Sequence, residues 1–366
     1  FEGLLSLLLA VKTRPVVRFQ RSSELSRNLA ERLCIRIDQE SNLFGFDRSR
    51  RFSAQRPPVL LILDRFEDPV TPLLNQWTYE AMINERLGLL NNRVVVRKPR
   101  DGKSEEIVLD ADTDPFYKST RYANFGDLGV ALKGYVDAFA EKSKMQGMVQ
   151  SIDDMLRFVD SYPEFRQSSH NVTKHVALTG ELSRLVDREM LLEVSQLEQD
   201  MACREAESEH KKQVLSMIGN PNMTHPDRLR LVLLYALRYE NSTDKSSIPL
   251  MKQKLMVQGC SSQDVHMITA LLEYAGSKRR SGDVFSNKTF YARAKNTVKR
   301  GIGGIDNVYT QHEPMLASTL EEILRGALPL RDFPVMNTGE VDDIESAIPS
   351  KVIAFMAGGG GMEESQ

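Results

Sequence analysis

An α/β unit joined to a larger, mainly helical region is the fold class that the sequence predicts, on three observations. Pro57-Pro58 introduces five consecutive apolar residues, Val59 to Leu63, that end at Asp64. An unbroken run of that length, bounded by proline and acid, suits a strand buried on both faces of a parallel sheet. A second run, Lys351-Val352-Ile353-Ala354-Phe355-Met356, leads into Gly358 to Gly361 and Met362-Glu363-Glu364, which is how a βα unit begins. After residue 110 the chain reads as helical almost throughout.

The elements follow in order. Leu4, Leu5, Leu8 and Leu9 lay one apolar stripe on a helix that stops near Arg14-Pro15. Ser22 is the expected N-cap of a second helix carrying Leu25, Leu29, Leu33 and Ile37 at steps of four. Thr71-Pro72 supplies a cap and a proline at the first helical position, so a helix is expected from there through Leu87. Val94-Val95-Val96 and Ile107-Val108-Leu109 flank Asp101-Gly102 and read as a hairpin. Helices are then expected at 125–142, at 152–162 behind Ser151-x-x-Asp154, and across 164–206 with a weak point at Gly180. The next, at 225–240 behind Thr224-x-x-Asp227, is apolar on nearly every side and so belongs at the centre of a bundle. Others are expected at 249–258, 262–275, 289–300 and 315–325, and 327–350 reads as a connection.

Composition removes several classes of function. The chain has 366 residues, 41% of them apolar and 27% charged, enough for two ordinary cores. Forty-eight basic residues against 50 acidic ones leave a net charge of −2, so no global field draws it to nucleic acid or anionic lipid. Three scattered cysteines make no disulfide framework or zinc site, which points to a reducing compartment. The longest apolar stretch falls far short of the roughly 20 residues of a membrane span. The chain opens on Phe1 and ends inside a βα unit, so part of the α/β domain is expected to lie outside it.

Catalytic constellations are sparse. Asp64 at the carboxyl end of a strand, with Asp68, resembles a magnesium-holding aspartate, and a nucleotide-dependent phosphohydrolase is the rival reading. Gly102-Lys103-Ser104 lacks the earlier glycine of a phosphate loop, and the plainer alternative has Asp64 capping the next loop or pairing with Arg65. The six histidines form no metal motif, no G-x-S-x-G elbow occurs, and the basic clusters at Arg48 to Arg56 and Lys278-Arg279-Arg280 lack interleaved aromatics. The expectation is a protein that is not an enzyme and that needs no cofactor or metal.

Four blocks carry a family resemblance. Leu60 to Leu87 (LLILDRFEDPVTPLLNQWTYEAMINERL) closely resembles the hallmark of the SM (Sec/Munc) family, regulators of SNARE-driven membrane fusion. Arg14-Pro15-Val16-Val17-Arg18-Phe19 resembles a strand of the same family, and Lys174-His175-Val176, Gly180 to Val186 and Leu197 to Ala202 resemble its third domain. Asn307 to Pro314 is similar to its vacuolar protein sorting forty-five branch, which serves endosomal and trans-Golgi fusion. The resemblance implies an arch-shaped architecture: residues 1–90 with 344–366 as an incomplete α/β domain two, residues 91–343 as helical domain three, and domain one outside this chain. It also implies a cytoplasmic protein, peripheral on endosomal, Golgi and vacuolar membranes. The implied partners are a syntaxin-type SNARE, a vesicle SNARE and the SNARE complex, with small-GTPase effectors as further candidates and a helical trafficking scaffold as the bland alternative.

The family groove includes a helical hairpin whose tip carries a hinge proline, and Pro163 stands at the matching place. Phe165, Val172, Val176 and Leu182 are the expected SNARE-binding residues of the following helix; the competing reading is that this stripe packs inward. SNAREs are disordered chains that zip into a coiled coil, so a rigid groove holding two of them in register lowers the ordering cost. Thr71 and Glu85, fourteen residues apart, are placed on one side of their helix as stability residues, with Asp64 and Arg65 in the same motif. Glu85, near a helix C-terminus, is expected to need a cationic partner.

Overall fold

The computed structural model describes residues 1–40, 42–43, 58–97, 104–145, 163–285, 311–336 and 348–365. The helices expected at 152–162 and 289–300, the Ser151 capping box, the Arg48 to Arg56 cluster and Asn307 to Thr310 lie outside these residues.

The first helix, α1 (Glu2–Ala10), buries Leu4, Leu5 and Leu8. It is followed by β1 (Val16–Phe19), which residue patterning alone does not announce, and by α2 (Glu24–Gln39). The cap of α2 is Ser23 rather than Ser22, its hydroxyl accepting from Ser26 N at 2.9 Å. The buried stripe of α2 is Ser26, Ala30, Leu33 and Ile37, while Leu25 is exposed, because four-residue steps drift 40° off a helical face. Next comes β2 (Val59–Asp64), buried at all six positions.

The expected helix over 71–87 does not form. Thr71–Leu73 is a single 3-10 turn and the chain is then extended through Thr78. The backbone there is engaged elsewhere: Asn75 N donates to Glu198, Phe125 N to Trp77 O, Tyr79 N to Ala123 O and Glu80 N to Arg121 O. Only α3 (Tyr79–Met82) is helical, continued by a π-type turn over Ile83–Leu87 that stops at Gly88 (φ 80°). Thr71 and Glu85 therefore share no helix.

The hairpin is present as β3 (Arg93–Arg97) and β4 (Ser104–Val108), paired antiparallel. The helices that follow are α4 (Pro115–Thr120), α5 (Phe125–Met145), α6 (Pro163–Arg188), α7 (Leu191–Cys203), α8 (Glu207–Ile218), α9 (His225–Arg238), α10 (Ser247–Val257), α11 (Ser262–Ala275) and α12 (Met315–Leu324). The break expected at Gly180 lies instead at Met190, which takes the left-handed conformation (φ 55°) between α6 and α7. Gly180 sits on an exposed helical face, where it lowers stability by about 1 kcal/mol without ending the helix. As expected, α9 is central: Leu231 through Leu237 are all buried, and it packs against α7, α8, α10 and α11.

The last strand, β5 (Val352–Ala357), pairs parallel with β2, giving a three-stranded sheet in the order β1-β2-β5. Residues on β2 alternate between two cores. Leu60 and Ile62 pack with α1 and α2, whereas Leu61 and Leu63 pack with Leu316 and Ile323 of α12. The outer edge of β1 is covered by 332–336, where Phe19 N donates to Pro334 O and Met336 N to Val17 O.

The glycine run after β5 has a specific use. Gly358 (φ 98°) and Gly359 (φ 90°) wrap the Arg65 side chain, which donates from Nε to Gly359 O at 3.1 Å and pairs with Glu364 at 2.5 Å. A Cβ on Gly358 would lie 2.7 Å from Arg65 Cβ. Gly358→Ala should therefore cost on the order of 1–3 kcal/mol in a urea titration, since strain and clash act together. A loss of a few tenths would show that the turn can move away from Arg65.

Candidate functional site

The candidate surface is α6, some 39 Å long at 1.5 Å per residue over its 26 residues. Its inner stripe comprises Asn171, Lys174, His175, Leu178, Leu182 and Val186, all buried, and packs against α5, β3 and the π turn. Successive residues on a helix lie 100° apart, so Val176 points away from this stripe and is 48% exposed, with Val172 half-buried beside it. The triplet Lys174-His175-Val176 thus divides into two anchors and one outward apolar residue.

Leu182 is a correction. It lies about 120° around the helix from Val176 and is fully buried with Leu178, Trp77 and Tyr79, so it belongs to the core and not to the open face. Pro163 is the first residue of α6, where its missing amide removes no intrahelical bond. Phe165 falls on the helical side shared by Val172 and Val176.

What holds α6 in place is a polar cluster under its inner face. His175 Nε2 donates to Asp114 Oδ2 at 2.8 Å, and Nδ1 lies 2.8 Å from the Tyr79 hydroxyl. Lys174 Nζ pairs with the same Asp114 oxygen at 2.6 Å and reaches Val108 O at 3.2 Å. The other Asp114 oxygen caps α4 by accepting from Tyr117 N at 3.0 Å. Burial alone would raise the Asp114 carboxyl, but the His175, Lys174 and Tyr117 donors hold it down at about 2. Burial pushes the Tyr79 hydroxyl up. One aspartate thus ties α6, α4, β4 and the start of α3. Sequence reading missed Asp114, although Asp114-Pro115 is an N-cap followed by proline at the first helical position.

A second cluster joins the stretch after β2 to the helical core. Asp227 accepts from both Arg86 guanidinium nitrogens at 3.0 and 3.1 Å, from Arg230, and from Thr224 Oγ1 at 2.6 Å. Arg230 also pairs with Glu85, which supplies the cation that Glu85 was expected to need. Glu198, fully buried on α7, accepts from Asn75 N at 2.8 Å and Asn75 Nδ2 at 3.0 Å. Burial pushes its carboxyl up to about 8, against the pull of Arg230 and the Asn75 donor. For Asp227, burial is outweighed by Arg86 and Arg230, which hold it below the usual range.

The motif residues at the end of β2 are likewise engaged. Asp64 accepts from Ser23 Oγ at 2.7 Å, from the Tyr274 hydroxyl at 3.2 Å and from Phe66 N at 3.4 Å, so it caps the turn that follows. Thr71 is not an N-cap: its hydroxyl donates to Asp68 at 2.6 Å and its amide to the other Asp68 oxygen at 3.1 Å. Asp68 also accepts from Met315 N at the head of α12, and His312 Nε2 lies 3.1 Å from Thr71 Oγ1. Burial pushes the His312 imidazole down. These groups knit α2, β2, α11 and α12 together, and Asp64 and Asp68 have protein partners where a phosphohydrolase would need open ligands.

Among the described residues no helix is long and apolar enough to cross a membrane. Comparison with known proteins agrees with the resemblance. Residues 1–366 match the Sec1 family. The chain is 41% identical over 366 residues to vacuolar protein sorting-associated protein 45 of Dictyostelium discoideum, and 41% identical over 369 residues to the human protein of that name. In both cases all of this chain and 62% of the relative are covered, so the chain spans less than two thirds of their length. Among solved structures, Vps45 in complex with the Qa SNARE Tlg2 superposes with a TM-score of 0.83 at 40% identity, covering 100% of this chain and 63% of that one. The Unc18–syntaxin 1 complex of Monosiga brevicollis, at 19% identity and a TM-score of 0.74, shares the fold over 99% of this chain and 64% of that one. The chain belongs to the Sec1 family.

Proposed function

We propose that this chain forms the SNARE-engaging part of an SM regulator of vesicle docking and fusion. It acts without catalysis, binding a syntaxin-type SNARE and a vesicle SNARE and templating their assembly in transport between endosome or trans-Golgi and vacuole or lysosome. The similarity to Vps45 proteins, one of them solved with a Qa SNARE, supports the partner class. The domain division at residues 90 and 344 is part of this reading. So is a cytoplasmic location, peripheral on membranes through bound SNAREs.

The observation that carries it is the exposed Val176 on a helix whose neighbouring residues, Lys174 and His175, are locked into the core. An apolar side chain on a rigid helix offers a disordered SNARE segment a fixed seam at low ordering cost to the template. Val172 and Phe165 extend the same side. Pro163 supplies the hinge: continuing the helix backwards would force Tyr162 into a conformation that proline disfavours, so straightening costs free energy and the hinge can hold two states.

In the full-length protein, Val176→Arg should weaken binding of the vesicle SNARE by about tenfold while changing stability by less than about 0.5 kcal/mol. Calorimetric titration with the SNARE segments checks this, and an unchanged affinity would remove Val176 from the binding surface.

A further inference from the structure

A second surface lies on α7 and α8. Along α7, Glu193, Gln196 and Asp200 recur at helical spacing, as Glu209 and Gln213 do on α8. The two ridges border a cleft of about 610 Å³ floored by Leu197 and Met217. Arg204 is held there by Asp200 at 2.5 Å and by Glu209 at 3.2 Å. Three carboxylates against one guanidinium leave the lining with two excess negative charges. Among the described residues Glu193, Gln196 and Gln213 make no side-chain hydrogen bond or ion pair, so a carboxylate and two amides face the cleft uncommitted.

We propose that this cleft docks an extended, lysine- or arginine-bearing segment of a protein partner, at a place separate from the Val176 face. Primary amides such as Gln196 and Gln213 can both donate to and accept from a peptide backbone, whereas an apolar ligand uses neither function and an anion only the donor. Glu193 supplies the counter-charge for a basic side chain, and Leu197 and Met217 provide the apolar floor for its methylene stem. From Glu193 to Arg204 is eleven residues of helix, roughly 16 Å, which matches about five extended residues. The sign of the lining disfavours phosphates, nucleic acid and anionic lipid.

The test uses the full-length protein and a fluorescein-labelled peptide, Ala-Arg-Ala-Lys-Ala-Arg, in anisotropy titrations against a counterpart with glutamate at the basic positions. The basic peptide should bind and weaken as salt is raised, and the glutamate peptide should not bind. Glu193→Lys combined with Gln213→Ala should lower affinity about tenfold with unchanged SNARE binding, while the melting temperature falls by no more than a few degrees, because Glu193 lies in the first turn of α7. Retained SNARE binding separates this surface from the Val176 reading, which fails or stands on its own variant. Equal binding of both peptides, an unchanged affinity in the double variant, or no binding to the full-length protein would each overturn the proposal; the last would mean that the cleft is filled from within.

Discussion

Asp227→Ala is expected to cost the fold about 3–5 kcal/mol, because it leaves two guanidiniums buried without their shared carboxylate. The Asp227 side chain is fully buried, and those of Arg86 and Arg230 are only 9% and 16% exposed. The replacement also frees Thr224 Oγ1, whose donor contact is lost although it can still cap the helix. Asp227→Asn keeps the shape and much of the hydrogen bonding but not the charge, so it should fall between alanine and wild type. Urea titration at neutral pH measures all three, and a loss below about 1 kcal/mol for alanine would show that water, Glu85 or Glu189, which lies 3.6 Å from Arg86, takes over the two arginines.

This cluster shows what the sequence did and did not disclose. Glu85 could be read as needing a cation, because a carboxylate near a helix C-terminus faces an unfavourable dipole. Its partner could not be named, since Arg230 is 145 residues away and meets it only through packing. The helix expected from Thr71 failed for the same reason: Thr-Pro is a sound local start, but Asn75, Trp77 and Tyr79 give their backbone groups to Glu198 and to residues 123–125. Local propensity is a weak prior against such tertiary bonds.

Strand β2 and helix α9 were legible because the strand is apolar over five consecutive residues and the helix on nearly every side, and only a central position satisfies that pattern. On α6 the apolar residues were legible but their direction was not. Leu182 and Val176 look alike as letters, yet they stand about 120° apart, and one of them closes the core. The buried stripe of Leu178, Leu182 and Val186 fixes the rotation together with Asp114, a residue 61 positions before His175.

Asp114→Ala should therefore be the second large effect, again about 3–5 kcal/mol, since it leaves the Lys174 ammonium buried beside one backbone carbonyl. The pH dependence follows from the same residue. The folded-state carboxyl titrates at about 2, below the roughly 3.9 of an unfolded chain. A depressed value contributes stability above pH 4 that disappears as pH falls from about 4 towards 2, some 2–3 kcal/mol in all. The stability difference between wild type and Asp114→Asn should accordingly narrow when urea titrations are stepped from pH 6 to pH 3. A constant difference would mean that the ionised carboxylate is not what anchors the helix. In the full-length protein, Asp114→Asn should also weaken SNARE binding, but together with a lowered melting temperature, because it disturbs the rotation that presents Val176. Val176→Arg should weaken binding with the melting temperature unchanged. Two variants that agree on binding and differ on stability would separate the residue that makes the contact from the residue that aims it.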